Sequence, residues 1–128
     1  MTHFERIDPI LRVADIPRSL RFYTELLDFT VAPWGSDSFT CVSRDGCDIY
    51  LCANDQGAPG TWVWVGIDDA RALHDLLVAR GVTIRSPLIN HPWALEFQIE
   101  DPDRHVLRFG SDPLPGTSSS PDSSASST

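Results

Sequence analysis

The sequence has no lysine, few cysteines and no long apolar run. A membrane-spanning helix needs about 20 consecutive apolar residues, and residues 1–5 lack the pattern of a signal peptide. We therefore expect a cytoplasmic protein that does not associate with membranes. The length of 128 residues and the 41% apolar content are typical of one soluble globular domain with a hydrophobic core.

Negative charge dominates the chain. Ten arginines supply all of its basic side chains and stand against 18 acidic ones, which gives a net charge of −8. Nucleic acids are polyanions, so they are poor partners for such a protein. A cationic or neutral small molecule fits this charge better, although an acidic balance also serves solubility alone.

The three cysteines, Cys41, Cys47 and Cys52, lie close together in the sequence. An odd number without a signal peptide argues against a disulfide framework. Their spacing is not the C-x-x-C pair of a zinc site. We interpret them as small, buried strand residues.

The C-terminal residues 111–128 differ in composition from the rest. They contain ten serines and threonines and three prolines, and only Leu114 offers an apolar side chain of any size. Such a segment buries too little surface to fold, so we predict a disordered tail after a domain of residues 1–110. Removing the tail acids Asp112 and Asp122 from the total of −8 leaves that domain at −6.

The domain reads as two similar halves, about residues 7–54 and 61–110. In each half a strand leads to a helix capped by an aspartate, and a further strand and a hairpin follow. In the first half we predict a strand over 7–13 and, after Asp15, a helix over 16–27. A strand over 29–32 follows, and then a hairpin of 38–43 and 47–53 around Asp45-Gly46. In the second half they are a strand over 62–67, a helix after Asp68 or Asp69 with Leu73, Leu76 and Leu77 as its apolar stripe, a strand over 82–84, and a hairpin of 94–100 and 105–109.

The two halves align in a readable register. The offset is 53 residues from the helix to the strand that follows it, where Val31 maps onto Ile84, or 54 if Asp15 maps onto Asp69 instead of Asp68. After the loops it is 58, where Tyr50 maps onto Arg108. This repeat predicts an α+β fold of two β-α-β-β-β modules. Neither four-stranded sheet covers its own concave face, so we expect the two curved mixed sheets to form an open barrel with a cleft, completed in a dimer.

Three segments resemble the vicinal oxygen chelate superfamily, which includes glyoxalase I, extradiol dioxygenases and bleomycin-resistance proteins. They are residues 9–23 (PILRVADIPRSLRFY), the Asp45-Gly46 hairpin and residues 95–103 (LEFQIEDPD). Residues 62–65 (WVWV) and 92–97 (PWALEF) are most similar to the bleomycin-resistance binding proteins. Asp28 and Arg104 stand where the superfamily usually has glycine, at turn positions where left-handed backbone is common.

The resemblance implies a divalent metal in catalytic members, held from four strand positions. Those positions correspond here to Asp8, Tyr50, Trp62 and Arg108. Tryptophan has no usable lone pair for a metal, and arginine is a fixed cation. Since Asp8 alone is a good ligand, we expect neither a metal nor another cofactor.

Other catalytic patterns are also missing from the sequence. His3, His74, His91 and His105 do not show the spacing of a helical metal-binding pair, and we interpret them as solvated surface residues. No G-x-S-x-G motif marks a nucleophile. We therefore assign no catalytic residue.

Aromatic residues are the remaining candidates for a site. We expect eight side chains to contact a ligand: Trp34, Phe39, Tyr50, Trp62, Trp64, Trp93, Arg108 and Asp8. Aromatic rings on an acidic domain favour a planar or cationic ligand. Burial in the core is the competing interpretation for each tryptophan, and the favoured one for Trp64. Arg108 alternatively binds an anionic group or forms a structural ion pair with Asp8 or Asp48.

These observations predict a metal-free small-molecule binding protein. The resemblance implies sequestration of a cationic glycopeptide antibiotic, as in antibiotic resistance, by a homodimer that exchanges an N-terminal strand around a proline such as Pro9. The alternative is a glyoxalase-type lyase, isomerase or dioxygenase-like enzyme with an atypical site, in which Glu96 or Asp8 acts as a general base. A structural or regulatory dimer is a third possibility.

Overall fold

The computed structural model describes residues 2–115, which divide into two units. The first unit holds the chain as far as Thr61 together with the segment Asp101–His105. The second holds Trp62–Glu100 and the chain from Val106 onward. Each unit contains a four-stranded mixed sheet with a helix, so the predicted α+β class and the two modules are confirmed. The open barrel and its cleft stay predictions.

The first unit has one helix and four short strands. In chain order these are β1 (Ile10–Arg12), α1 (Ile16–Arg21) with a π-helical extension (Phe22–Leu26), β2 (Thr30–Val31), β3 (Phe39–Arg44) and β4 (Cys47–Cys52). The strand order is β1-β4-β3-β2, with β1 parallel to β4 and the other pairs antiparallel. Strand β1 is shorter than the predicted strand over 7–13, because its pairing with β4 begins at Ile10 and ends at Arg12.

Local sequence signals explain where these elements begin and end. The Asp15 side chain accepts a hydrogen bond from the Arg18 amide (3.0 Å) and caps α1. Asp28 follows the helix with a φ of 61°, as its turn position suggested. Asp45 and Gly46 both have positive φ (52° and 79°), which is the type I′ hairpin turn predicted between β3 and β4.

The second unit repeats this order. Its elements are β5 (Trp62–Gly66), α2 (Ala70–Ala79), β6 (Ile84–Asn90), β7 (Leu95–Glu100) and β8 (Val106–Ser111), in the sheet order β5-β8-β7-β6. The Asp69 side chain caps α2 through the Ala72 amide (3.0 Å), and Gly81 follows the helix with a φ of 80°. Strand β6 extends to Asn90, well beyond the predicted 82–84.

Strand pairing confirms the register of the repeat. Ile10 pairs with Tyr50 across the parallel β1–β4 ladder, and Trp64 pairs with Arg108 across β5–β8. Ile10 and Trp64 are 54 residues apart in the sequence, and Tyr50 and Arg108 are 58 apart, so the two pairs are equivalent in the repeat. Asp15 and Asp69 also differ by 54, so the alternative offset of 53 is wrong at the cap.

Each core lies between the sheet and its helix. In the first unit the buried residues include Leu11, Ile16, Tyr23, Val42 and Leu51; in the second they include Leu77, Phe97, Ile99, Leu107 and Phe109. Leu76, predicted on the apolar stripe of α2, is 39% exposed. His74 takes that role instead, because it lies one turn before Leu77 on the buried face and packs edge-to-face on Phe97 (5.3 Å between ring centroids).

A buried polar network in the first unit explains the Asp-Pro-Asp turn. Asp101 accepts hydrogen bonds from the Tyr23 hydroxyl (2.8 Å) and from the amides of Asp103 and His105 (both 2.9 Å). Burial raises the pKa of Asp101, and burial together with the Asp101 charge raises the pKa of Tyr23 well above its usual value. Arg104 completes the turn with a φ of 67°, at a position where we noted that left-handed backbone is common.

Asp103 and His105 continue this network. Asp103 accepts from the Ala14 amide (2.9 Å) and from the Arg18 guanidinium (2.9 Å), which fixes the start of α1. His105 is completely buried, so its interpretation as a solvated residue is wrong. Its Nδ1 accepts from the Thr61 amide (2.9 Å), and its Nε2 bonds the Arg12 carbonyl.

The C-terminal boundary differs slightly from the prediction. Strand β8 ends at Ser111, one residue beyond the predicted domain, and the Ser111 hydroxyl accepts from the Ala70 amide (3.1 Å). The Leu114 amide then donates to Asn90 (2.9 Å). The rest of the predicted tail, 116–128, lies outside the described residues. Within 2–115, the helices are too short to cross a membrane.

Candidate functional site

All four tryptophans of the chain are about half exposed. The exposed fractions are 49% for Trp34, 50% for Trp62, 54% for Trp64 and 46% for Trp93. The core interpretation of Trp64 is therefore wrong for the single chain. Its place on β5 explains this, because strand alternation puts Trp62 and Trp64 on the same face and Val63 and Val65 on the opposite one.

Three aromatic rings form a stack in the first unit, which we call the Trp34 stack. The three ring centroids form a triangle. Phe39 lies 6.2 Å from Trp34 and 5.5 Å from Tyr50, with interplanar angles of 23° and 25°, and Trp34 lies 6.1 Å from Tyr50 at an angle of 36°. Strands β3 and β4 carry Phe39 and Tyr50, and the Thr40 hydroxyl donates to the Trp34 carbonyl (3.3 Å) in the preceding loop. Because Trp34 keeps about half of its surface exposed, its ring is available to another planar group.

Charged side chains surround the Tyr50 end of the stack. The Arg6 guanidinium bonds Asp8 (2.6 Å), lies 3.7 Å from Asp48 and donates to the Tyr50 hydroxyl (3.5 Å). The hydrogen bond that Arg6 donates to Asp8 is the main cause that raises the pKa of Arg6 above its usual range. Both carboxylates therefore have a cationic partner already, and a cationic ligand at this place would compete with the exposed Arg6 side chain.

A pocket of 370 Å³ opens beside the Trp34 stack. Its lining includes Trp34, Tyr50, Arg6, Asp48 and Cys41. Burial raises the pKa of the Cys41 thiol, which disfavours the thiolate that a nucleophilic cysteine needs. The residues of this pocket therefore favour binding over covalent chemistry.

A buried carboxylate organises the second unit. Glu96 on β7 is almost inaccessible and accepts hydrogen bonds from Arg108 Nε (3.0 Å), Arg108 Nη2 (3.2 Å) and Trp93 Nε1 (2.8 Å). Within the second unit, Arg108 therefore has a structural carboxylate partner, Glu96, which the sequence analysis did not name as its partner. The β7–β8 register is the reason, since Glu96 pairs with Gly110 and shares the face that Arg108 occupies two residues earlier.

Cation–π and stacking contacts hold the rings of this unit. The Arg108 guanidinium lies 5.4 Å from the Trp64 ring centroid, and the Arg85 guanidinium lies 4.7 Å from that of Trp62. His91 stacks on Trp93 at 4.5 Å with an interplanar angle of 6°. Sequence reasoning listed His91 as a solvated residue and Glu96 as a possible base, and missed that together they position Trp93.

The residues at the superfamily's metal positions do not fit a divalent cation. Asp8 is engaged by Arg6, Trp62 offers no donor atom, and Arg108 carries a fixed positive charge. Within residues 2–115 no three histidine, cysteine or carboxylate side chains come together as a metal-binding group. The donor set therefore gives no basis for metal-assisted chemistry at these positions.

Solved structures share this fold. The bleomycin-binding protein from bleomycin-producing Streptomyces verticillus, solved with copper(II)-bleomycin, has a TM-score of 0.74 and 24% identity, over 87% of this chain and 98% of its own. TnmS3, an antibiotic binding protein from Streptomyces sp. CB03234, has a TM-score of 0.72 and 22% identity, over 88% and 99%. Lactoylglutathione lyase from Agrobacterium tumefaciens has a TM-score of 0.71 and 15% identity, over 86% and 96%.

Sequence comparison gives the family. None of the proteins with curated descriptions matches the chain significantly. Residues 2–109, however, match the profile of one superfamily. The chain therefore belongs to the glyoxalase/bleomycin resistance protein/dioxygenase superfamily.

Proposed function

We propose that this protein binds a planar, cationic small molecule on its exposed aromatic rings without converting it chemically. The observation that carries the proposal is the exposure of all four tryptophans, each close to half. A tryptophan that serves stability alone buries its large ring in the core. Rings left in solvent, whether on β5 or in the loops before β3 and β7, instead offer stacking surfaces to a ligand.

Charge and ring geometry support the ligand class. The net charge of −8 attracts cations over longer distances, and aromatic faces attract them at contact. The Trp34 stack brings three aromatic rings into mutual contact, and the half-exposed Trp34 ring offers a planar group a surface on which to stack. Two solved proteins of this fold are described as a bleomycin-binding protein and as an antibiotic binding protein. A bleomycin-class antibiotic is therefore the first compound to test.

The enzymatic alternative has weaker support from the residues. A lactoylglutathione lyase shares the fold, but at 15% identity the likeness extends to the fold alone. Glu96 accepts hydrogen bonds from Arg108 and Trp93 through its two oxygens, and Asp8 is bonded to Arg6. Carboxylate oxygens that already accept hydrogen bonds from protein side chains are poorly placed to take a proton from a substrate.

Trp34→Ala tests the proposed function. Titration of the wild type with bleomycin and with other planar cations is expected to quench tryptophan fluorescence to saturation. Loss of the stacking surface should weaken binding by about 10-fold or more, because truncating an aromatic anchor typically costs about 1–3 kcal/mol. Trp34→Phe keeps a ring and should retain most of the affinity. Val78→Ala removes a half-exposed apolar side chain on α2, outside the stack, and serves as the matched control.

Two results would contradict this function. Unchanged fluorescence with every planar cation at millimolar concentration would remove the cationic ligand, and an anionic ligand held by Arg108 would replace it. A stoichiometric divalent metal that a chelator removes together with a catalytic activity would favour the enzymatic alternative.

The proposal includes the homodimer expected from the sequence. Phe4 and Ile7 are each 85% exposed in the single chain, and apolar side chains this exposed are stabilised by a partner surface. Light scattering of the purified protein is expected to give twice the chain mass of 14.2 kDa at micromolar concentration. Phe4→Asp combined with Ile7→Asp should shift that mass toward the monomer. A wild-type mass equal to that of one chain would contradict the dimer.

A further inference from the structure

A second pocket, of 450 Å³, lies in the second unit where β5 and β8 end and β7 begins. Two indole rings, Trp64 and Trp93, contribute to its lining, and so do the carboxylates Asp68 and Asp112. None of the described residues that line it is basic. In this respect it differs from the pocket beside the Trp34 stack, which Arg6 enters.

Both indole rings are held in place by the protein. Trp93 donates from Nε1 to the buried Glu96 (2.8 Å) and stacks on His91. Trp64 lies directly over Gly110, since a Cβ atom at Gly110 would come within 2.3 Å of its Cη2 atom. A binding surface that is ordered before the ligand arrives loses less conformational entropy on binding.

The positive charge near Trp64 does not oppose a cation in this pocket. The Arg108 guanidinium beside the Trp64 ring forms two hydrogen bonds with Glu96, so the pair is close to neutral. Asp68 and Asp112 are both exposed and add negative charge to the lining. The electrostatic balance of the pocket therefore favours a positively charged group.

We propose that this pocket binds a quaternary ammonium group between Trp64 and Trp93. Such a group is a weakly hydrated cation without hydrogen-bond donors, and aromatic faces are its usual recognition surface in proteins. A primary ammonium or a guanidinium ion would instead need several acceptors in fixed positions. The inference rests on the proposed function, that exposed tryptophans bind a cation, and adds the chemical group and its place.

Choline and its neutral isostere 3,3-dimethyl-1-butanol test this pocket in the full-length protein. The two probes have the same shape and differ in charge. Choline should bind about tenfold more tightly than the alcohol, because the cation–π attraction acts on the charged probe alone. In a two-dimensional amide and indole NMR spectrum, choline should shift the Nε1–H signals of Trp64 and Trp93 and leave those of Trp34 and Trp62 in place. Single Trp→Phe variants assign the four signals.

A pair of glycine variants tests the position of the Trp64 ring. Gly110→Ala places a methyl group where the ring now lies, so the ring must move, and choline affinity should fall by about tenfold. Gly66→Ala is the matched control for a methyl group added to the pocket lining without displacing the ring, because its nearest contact would be Trp64 Nε1 at an ordinary 3.7 Å. Asp68→Asn combined with Asp112→Asn changes only exposed side chains, and should weaken choline several-fold without altering thermal unfolding.

The outcomes separate this inference from the proposed function. Equal affinity for choline and the alcohol, or choline shifts confined to Trp34 or Trp62, would overturn the inference. Binding of planar cations at Trp34 with no choline binding would overturn the inference and leave the proposed function standing. Absence of binding by both probe classes would overturn both. Should Gly110→Ala fail to fold, unchanged choline affinity in the double aspartate variant would still contradict the proposal.

Discussion

His105→Leu is expected to lower the free energy of unfolding by about 2–6 kcal/mol. The leucine side chain fills a similar volume but makes none of the hydrogen bonds of the imidazole. The Thr61 amide and the Arg12 carbonyl would then lose their side-chain partner, a ring that is itself completely buried in the wild type. Each buried polar group left unpaired costs about 1–3 kcal/mol, and the two costs together give the expected range.

Urea unfolding at neutral pH measures this effect. His74→Leu is the matched control, because His74 packs on Phe97 but bonds only the exposed side chain of its neighbour Asp75. That substitution should change stability by less than about 1 kcal/mol, as expected for a partly exposed site. Similar losses for the two variants, or a stable His105→Leu protein, would contradict the role of His105 in the buried network.

The geometry also fixes the protonation of His105. Its Nδ1 accepts a hydrogen bond from the Thr61 amide, so that nitrogen carries no proton. Its Nε2 must then donate to the Arg12 carbonyl. The ring is consequently a neutral linker between two backbone groups of the first unit.

Most of the fold was predictable because its signals are local. The capping aspartates, the Asp45-Gly46 turn and the apolar spacing each act within a few residues, and the repeat of these signals revealed the two modules. Asp28 and Arg104 illustrate this, since their place after a helix and in a tight turn favours positive φ whatever the rest of the chain does. The π-helical end of α1 has no comparable local signal.

The candidate site was less predictable because it depends on contacts between distant residues. Alternation along β5 placed Trp62 and Trp64 on one face, but could not tell a ring in the core from a ring in solvent. The partner of Arg108 depends on the register of the β7–β8 hairpin, which brings Glu96 beside it. A lone histidine in a turn looks the same in sequence whether it is buried or solvated.

The two units use their charged residues differently. In the first, an exposed arginine bridges two acids at the edge of the Trp34 stack, so its ion pairs are screened by solvent and contribute little to stability. In the second, the carboxylate of the pair is buried and also holds Trp93. A ligand can therefore displace Arg6 at small cost, whereas Arg108 and Glu96 serve as a fixed support for the rings above them.

Tyr23→Phe is expected to lower the free energy of unfolding at neutral pH. It should also abolish the part of the alkaline destabilisation that comes from ionisation of the Tyr23 phenol. At neutral pH the substitution takes away the hydroxyl that donates to buried Asp101. A hydrogen bond to a charged group contributes about 1.5–3 kcal/mol, so the unfolding free energy should fall by about that amount. Asp101→Asn relieves the buried charge and keeps an acceptor for the backbone amides, and should cost less.

The alkaline effect follows from the direction of the Tyr23 pKa shift. Burial and the Asp101 charge raise this pKa in the folded state, so the fold favours the protonated phenol. The contribution to stability is fully present below the unfolded pKa of about 10 and declines by about 1.4 kcal/mol per pH unit above it. The chain has no lysine to titrate in the same range, which leaves tyrosine and cysteine as the groups that respond.

Urea unfolding at several values between neutral pH and about one unit above the tyrosine pKa of 10 tests this directly. The difference in stability between wild type and Tyr23→Phe should shrink as the pH rises, because the variant lacks the titrating phenol. Cys41 titrates in both proteins, so its contribution cancels in the difference. Tyr50→Phe is the matched control, since Tyr50 bonds the exposed Arg6 and its removal should leave the alkaline decline in place. A constant difference between wild type and Tyr23→Phe across this range would contradict the buried Tyr23–Asp101 pair.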